Sequence, residues 1–270
     1  MNWHPKCTRN SVKFLVTLIF TALTGPFAAA ASKPLDNLIG LANDQVSKFV
    51  EQFSEVKCTE HVTQEKFRQD GKIELKEDST YDYLVILNNV GGEISLDESR
   101  LAVHETKKEQ KKGLSMLVSN GFATLFLVFH PYYSSGFQFA DAGEETINGH
   151  KFRKVEFKHI PGMRSPAALA LRGREYPLDL AGTAWVDPET GTIGKIDAGL
   201  ATSMEDIGLR SMRSEVRFQP VTFKDTKDTY WFPSQASVEV ETPRQHWRNT
   251  HNFTDYKRFS VSTEEKVAER

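Results

Sequence analysis

A two-residue period constrains this chain more than any other feature. Ile73, Leu75, Tyr81, Tyr83, Val85 and Leu87 share odd positions, while Lys72, Glu74, Lys76, Asp78, Thr80 and Asp82 stand between them. Successive side chains of an extended chain point to opposite faces, so this segment is a long strand with one dry face and one wet face. Gln245 to Val261 repeats the pattern, with Trp247, His251, Phe253, Phe259 and Val261 on odd positions and Arg248, Thr250, Asn252 and Arg258 on even ones. Two more long strands are predicted around Val216 to Phe223 and Tyr230 to Glu241. Strands of this length exceed the usual five or six residues.

Turn chemistry joins these segments in sequence. Asp70-Gly71 predicts a two-residue hairpin between the long strand and an earlier one carrying Val62 and Phe67. Asn89 to Gly92 opens a third strand, in which Ile94 and Leu96 are even but Leu101 and Val103 are odd, a change of parity that predicts a bulge. Phe137 to Ala140, Glu144 to Ile147 and Lys151 to His159 read as strands, the last two meeting at Asn148-Gly149. Pro161 to Gly173 is an irregular insertion in which Ser165-Pro166 can start one helical turn running to Leu171. Tyr176 to Val186 and Thr192 to Ala201 flank the turn Asp187 to Gly191, whose glycine suits a left-handed position.

Two segments change period. Leu35, Leu38, Ile39, Ala42, Val46, Phe49, Val50 and Phe53 recur every three or four residues, the stripe of an amphipathic helix. Leu114 to Phe129 is almost wholly apolar but is interrupted by Ser115, Ser119, Asn120 and Thr124, which predicts a buried helix ended by Pro131, with Tyr132, Tyr133 and Gly136 in a loop. Long antiparallel strands and two apolar helices make an α+β protein: one strongly curved antiparallel sheet, a half-barrel, with the helices on its concave face. No linker or repeat interrupts residues 32–270, so they are expected to form a single domain.

Residues 1–31 carry Lys6, Arg9 and Lys13, then the apolar run Phe14 to Leu23, then Gly25-Pro26 and Ala28 to Ala31. Basic, apolar and small-residue regions in that order are a secretory signal peptide, cleaved after Ala30 or Ala31, which places the protein in the periplasm or outside the cell. The apolar run is too short to cross a bilayer, so an integral membrane protein is not expected. Cleavage removes three basic residues and no acidic one, taking the formal charge from -2 to -5. Mild acidity argues against nucleic acid as a partner, and the basic run Lys107 to Lys112 reads as a solvated turn. Cys7 leaves with the signal, so Cys58 has no disulfide partner and reads as a small buried apolar residue; His61, three positions on in an extended chain, faces the other way.

The segments Gly182-Thr183-Ala184-Trp185-Val186-Asp187 to Gly191-Thr192-Ile193-Gly194-Lys195-Ile196, Tyr230-Trp231-Phe232-Pro233-Ser234, His246-Trp247-Arg248-Asn249 and Tyr256 to Val261 are similar to a group of secreted bacterial proteins of unknown function. That group in turn resembles the LolA/LolB-like superfamily of periplasmic lipoprotein carriers. The resemblance implies an unclosed β-barrel with helices in its mouth, and Arg100 is the candidate for the family's key arginine, a polar gate.

Catalytic and metal signatures are not visible. His246 and His251 lie on opposite faces of one strand, and no H-E-x-x-H spacing, paired Cys/His spacing, G-x-S-x-G elbow or phosphate-cradling glycine loop occurs. Glu98, His104, His130 and Asp141 can form a site only by converging in three dimensions. Neither an enzyme nor a cofactor is expected. The expected role is that of a binding protein that holds a lipid or acyl chain without covalent chemistry, lined by Tyr83, Val85, Leu117, Phe122, Phe126, Phe129 and Trp247. The alternative is an envelope module that binds a protein partner through the same scaffold.

Overall fold

The computed structural model describes residues 34–91, 93–103, 122–171, 174–224 and 228–259. The leader expected over residues 1–31, His104, and the basic run from Lys107 to Lys112 lie outside them. The first element is helix α1, Leu35–Ser54, and the buried side chains Leu38, Ala42, Val46, Phe49, Val50 and Phe53 are the stripe set by its three and four residue spacing.

Strands follow: β1 (Val56–Phe67), β2 (Ile73–Val90), β3 (Glu93–Ala102), β4 (Phe137–Ile147), β5 (His150–His159), β6 (Ala168–Leu171), β7 (Arg174–Pro177), β8 (Leu180–Val186), β9 (Ile193–Leu200), β10 (Ser211–Thr222), β11 (Thr229–Glu241) and β12 (His246–Arg258). Ten of them pair in the order β3-β2-β1-β12-β11-β10-β9-β8-β5-β4, all antiparallel, while β6 and β7 form a separate hairpin. The sheet is open, with β3 and β4 as its edges. The last strand, β12, lies between β1 and β11, so the end of the described chain stitches its first hairpins to the rest. One apolar cluster contains the buried face of α1, Leu125 to Phe129 of the 3₁₀ segment Phe122–Phe129, and residues of the sheet such as Tyr83, Val155, Ile196, Phe232 and Phe253.

Several expectations need correction. The β1–β2 connection is a three-residue loop, because Arg68 N–H donates to the Lys72 carbonyl and Gly71 takes φ 78°; the register shifts between Lys66 and Phe67, where Glu74 of β2 is passed over. β2 and β3 pair without a shift, so the parity change in β3 is not a bulge. Leu96 is buried while Leu101 and Val103 are exposed, and it is Glu98 and Arg100 that continue the inward face. An apolar residue on an edge strand can face water, and a charged one can face inward if its neighbours pair with it.

Phe137 to Ile147 is one strand bulged between Asp141 and Glu144, where Gly143 takes φ 86°. The helical turn expected after Ser165-Pro166 is the β6–β7 hairpin instead, and Tyr176 belongs to that hairpin, not to β8. Ser165 Oγ donates to the Leu178 carbonyl, which ties the base of the hairpin together. Of the helix expected over Leu114 to Phe129, residues 114–121 lie outside the described residues, and the remainder is the 3₁₀ segment. Tyr132 and Tyr133 are not in a loop: they belong to a short helix α2, Pro131–Ser134, in which His130 Nδ1 accepts from Tyr132 N–H.

The turn between β8 and β9 fixes α1. Gly191 has φ 76°, and a Cβ added there would lie 2.4 Å from the Leu41 backbone. Asp187 Oδ1 accepts from the N–H groups of Glu189 and Thr190, so the turn is held from within while its glycine presses on the helix.

Candidate functional site

Alternation along β2, β10, β11 and β12 delivers aromatic side chains to the inward face, and α1 and the 3₁₀ segment deliver more from the opposite side. Phe49 on α1 lies at the centre: its ring is 4.6 Å from Phe126, 5.2 Å from Phe53, 5.9 Å from Phe232 and 6.0 Å from Phe218. Phe53 continues the layer to Tyr83, whose ring lies 5.3 Å from Phe253. Edge-to-face packing such as that of Phe49 on Phe126 is the arrangement the ring quadrupoles favour.

The residues expected to line a pocket are distributed unevenly. Tyr83, Val85, Phe126 and Phe129 are all buried in the one cluster. Phe126 belongs to the central layer, whereas Phe129 packs on Phe139 and Phe157 near the β4 edge. Trp247 is buried but stands apart from the cluster, with its indole N–H on Gln245 and the Lys66 ammonium over its ring at 5.7 Å. Leu117 and the side chain of Phe122 lie outside the described residues. Sequence reasoning missed Phe218 and Phe232 as members of this layer, although their even parity on β10 and β11 was a usable signal.

Arg100 is inside the molecule. Its guanidinium donates to Glu60 through Nε at 2.6 Å and through one terminal nitrogen at 2.9 Å, and that nitrogen also reaches Glu98 at 2.8 Å. His251 Nδ1 lies 2.8 Å from Glu60 Oε1, the oxygen that also accepts from the terminal nitrogen of Arg100, and the guanidinium stands over the Tyr83 ring at 5.1 Å. Glu60 is fully buried and His251 nearly so. Glu60, Arg100 and His251 come from β1, β3 and β12, so the group exists only because β12 lies beside β1. Burial raises the Glu60 pKa, and the hydrogen bonds from His251 and Arg100 outweigh it and hold the carboxyl below its ordinary value. Burial opposes the charge on Arg100, and Glu60 and Glu98 more than compensate, holding the guanidinium protonated. Sequence reasoning named Arg100 but not Glu60 or His251, although both fall on inward parity.

The other polar candidates among the described residues do not converge on one site. Glu98 pairs with Arg100, His130 accepts at the start of α2 and Asp141 holds Arg153, so the three have separate partners. Cys58 is buried beside Tyr256, and burial pushes its thiol up to about 12, far from a reactive thiolate. Among the described residues no group of three His, Cys, Asp or Glu side chains could hold a metal ion.

A cleft of about 400 Å³ opens between α1, β5, the β8–β9 turn and the start of β11. Trp231 stands at its back, with His150 and Phe152 approaching at 5.7 and 6.2 Å in edge-to-face geometry. Gln45, Gln52 and Thr192 line both this cleft and a cavity of about 20 Å³ beneath it, which is walled by Val46, Phe49, Phe126 and Phe218. The surface cleft and the aromatic layer therefore share a wall.

No family model matches the sequence, and no curated protein does. Among solved structures, the chain is similar to a DUF1329 family protein from Desulfovibrio piger, with 13% identity, a TM-score of 0.44 and coverage of 86% of this chain and 95% of that one. A putative outer membrane lipoprotein-sorting protein domain from Vibrio parahaemolyticus matches with 11% identity, a TM-score of 0.41 and coverage of 85% and 95%. The Mycobacterium tuberculosis lipoprotein LppX matches with 11% identity, a TM-score of 0.26 and coverage of 86% and 100%.

Proposed function

We propose that this is an exported envelope protein that binds an apolar ligand, a lipid or acyl chain, between its sheet and its helices, with no covalent chemistry and with residues 32–270 as one binding domain. The observation that carries this reading is the aromatic layer around Phe49, which shares a wall with the surface cleft at Trp231. The sheet in this reading curls into a half-barrel. Tyr133, four residues before β4 on one edge, donates its hydroxyl to the Ile94 carbonyl of β3 on the other edge at 2.6 Å. In a flat sheet these edges would be nine strand spacings apart, roughly 43 Å, which a tyrosine side chain and four residues of chain cannot bridge.

The cavity under the cleft is no larger than one water molecule. An acyl chain therefore enters by moving α1 or the 3₁₀ segment away from the sheet. Burying about ten methylenes supplies on the order of 8 kcal/mol toward that separation. No helix among the described residues is long and apolar enough to cross a membrane.

Native mass spectrometry of protein purified from its own envelope, followed by solvent extraction, tests the reading. A bound lipid or acyl compound at one per chain is the expected result. A clean apoprotein mass, with no uptake of added fatty acyl probes, would sink it. The second reading, a protein-binding module, draws on Ile86, Leu101 and Val103, which are 47%, 62% and 43% exposed on the β2–β3 edge. Crosslinking that recovers an envelope protein through this edge, from material that extracts no lipid, would favour it.

A further inference from the structure

We propose that His159 is a proton-operated latch on the strap formed by residues 160–164, closed while its imidazole is charged and loosened when the proton leaves. The strap in turn sets how readily α2 and the 3₁₀ segment lift from the sheet. The latch stands on its own geometry, and its effect on an apolar ligand rests on the reading above.

His159 ends β5, and its side chain is 1% exposed. Its Nδ1 lies 2.7 Å from Asp179 Oδ1, and its Nε2 lies 3.3 Å from the Arg164 carbonyl oxygen. An ionised carboxylate and a carbonyl can only accept. A neutral imidazole carries one N–H and satisfies one of them, leaving the other oxygen against a ring lone pair. The imidazolium carries two and satisfies both, with the Asp179 carboxylate as its matching charge. Asp179 and Arg164 come from opposite ends of the crossover between β5 and β8, and β4 presents only the uncharged ring of Phe137 at 5.1 Å. Under the strap, α2 brings Tyr132 and Tyr133, and the Arg164 guanidinium stands over the Tyr132 ring at 3.9 Å.

One of the two oxygens belongs to the sheet and the other to the strap. The Asp179 carbonyl accepts from Ala201 N–H at 2.7 Å, just past β9, so Asp179 is a fixed post. The strap is tied down by Ile160 N–H on the Gly136 carbonyl and turned by Met163 N–H on the Ile160 carbonyl. It lies against Gly136, between α2 and β4, where an added Cβ would come within 2.6 Å of the Arg164 carbonyl oxygen. Gly136 N–H donates to the Tyr133 carbonyl, and the Tyr133 hydroxyl holds Ile94 on the β3 edge. The proton on His159 thus draws the strap onto the short segment that spans both edges of the sheet. That segment continues the 3₁₀ segment, so a loosened strap relaxes the hold on an element that an acyl chain must move. Histidine changes charge between about pH 5 and 8, so the strap tightens in acid and relaxes toward pH 8.

Amide hydrogen exchange of the whole protein, corrected for the intrinsic effect of pH on exchange, reads the latch directly. Protection of residues 160–167, relative to β11 and β12, should fall at least about tenfold between about pH 5.5 and 8. In His159→Gln, whose amide keeps a donor but does not titrate, that pH dependence should vanish while β11 and β12 stay protected. Asp179→Asn, at a side chain 43% exposed, should lose most of the extra protection in acid. Protection of the strap that ignores pH in the wild type, or that changes equally in His159→Gln, would overturn the latch. The same proteins are then mixed with N-phenyl-1-naphthylamine, an uncharged apolar dye, in a stopped-flow fluorimeter. The wild type should take it up several-fold faster at about pH 8 than at 5.5, and His159→Gln at one rate throughout. Uptake by the wild type at a rate independent of pH would overturn the strap's control of entry. A strap that responds to pH in a protein that takes up no dye would leave the latch standing and count against the apolar-ligand reading alone.

Discussion

Arg100 grips Glu60 by two hydrogen bonds, at 2.6 and 2.9 Å, between groups that are 9% and 0% exposed in their side chains. The pair lies inward of the β3 edge, where an apolar side chain would satisfy packing alone. A buried ion pair of this kind is seldom a net gain over well-packed apolar residues, but breaking one is costly, because the surviving charge is left in a dry site.

That asymmetry orders two variants. Arg100→Met leaves both Glu60 and Glu98 without their shared cation and should lower the unfolding free energy by about 3 to 5 kcal/mol. Glu60→Gln leaves Arg100 with Glu98 and should cost clearly less. Urea unfolding at neutral pH measures both, and equal losses would show that the guanidinium is not the hub.

The same pair makes stability depend on acid. The Glu60 carboxyl has its pKa lowered in the folded protein from an ordinary 4.5, so the stabilisation is fully present above 4.5 and is lost as pH falls through the depressed folded value. The stability gap between wild type and Glu60→Gln should therefore be constant from pH 7 to about 5 and close below 4.5. A gap that widened in acid would contradict the assignment.

Phe49 joins both halves of the aromatic layer, and Phe49→Ala should destabilise by about 3 to 5 kcal/mol. Leu101→Ser, at a side chain 62% exposed, should stay within about 0.5 kcal/mol. Thermal and urea midpoints for the two variants, measured side by side, separate interior from outer face. A large loss at Leu101 would mean that the β3 edge is covered in solution.

Gly71 and Gly191 share a left-handed backbone, at φ 78° and 76°. Only Gly191 abuts another element, since nothing lies within 4 Å of a Cβ added at Gly71. Gly71→Ala should cost about 1 kcal/mol for the backbone conformation alone. Gly191→Ala should cost more, because its methyl group would push against the Leu41 backbone of α1. Equal costs in unfolding experiments would show that the turn can retreat from the helix.

Local order was legible in the sequence wherever it depends on spacing along the chain. Alternation placed β2 and β12, the three and four residue stripe placed α1, and glycine at 149 and 191 marked backbone that turns use. What depends on charge pairing across distance was not. Arg100 meets Glu60 over 40 residues and His251 meets Glu60 over 191, so no local rule could say that β3 carries its charges inward. Read locally, Leu101 and Val103 became core residues and their parity a bulge. The chain by itself thus fixed which residues could face together, because side-chain direction follows from backbone period. The tertiary structure decided which of those faces is inside, because the cost of burying Glu60, Glu98 and Arg100 is met only when the strands that bear them, with His251 on β12, are side by side.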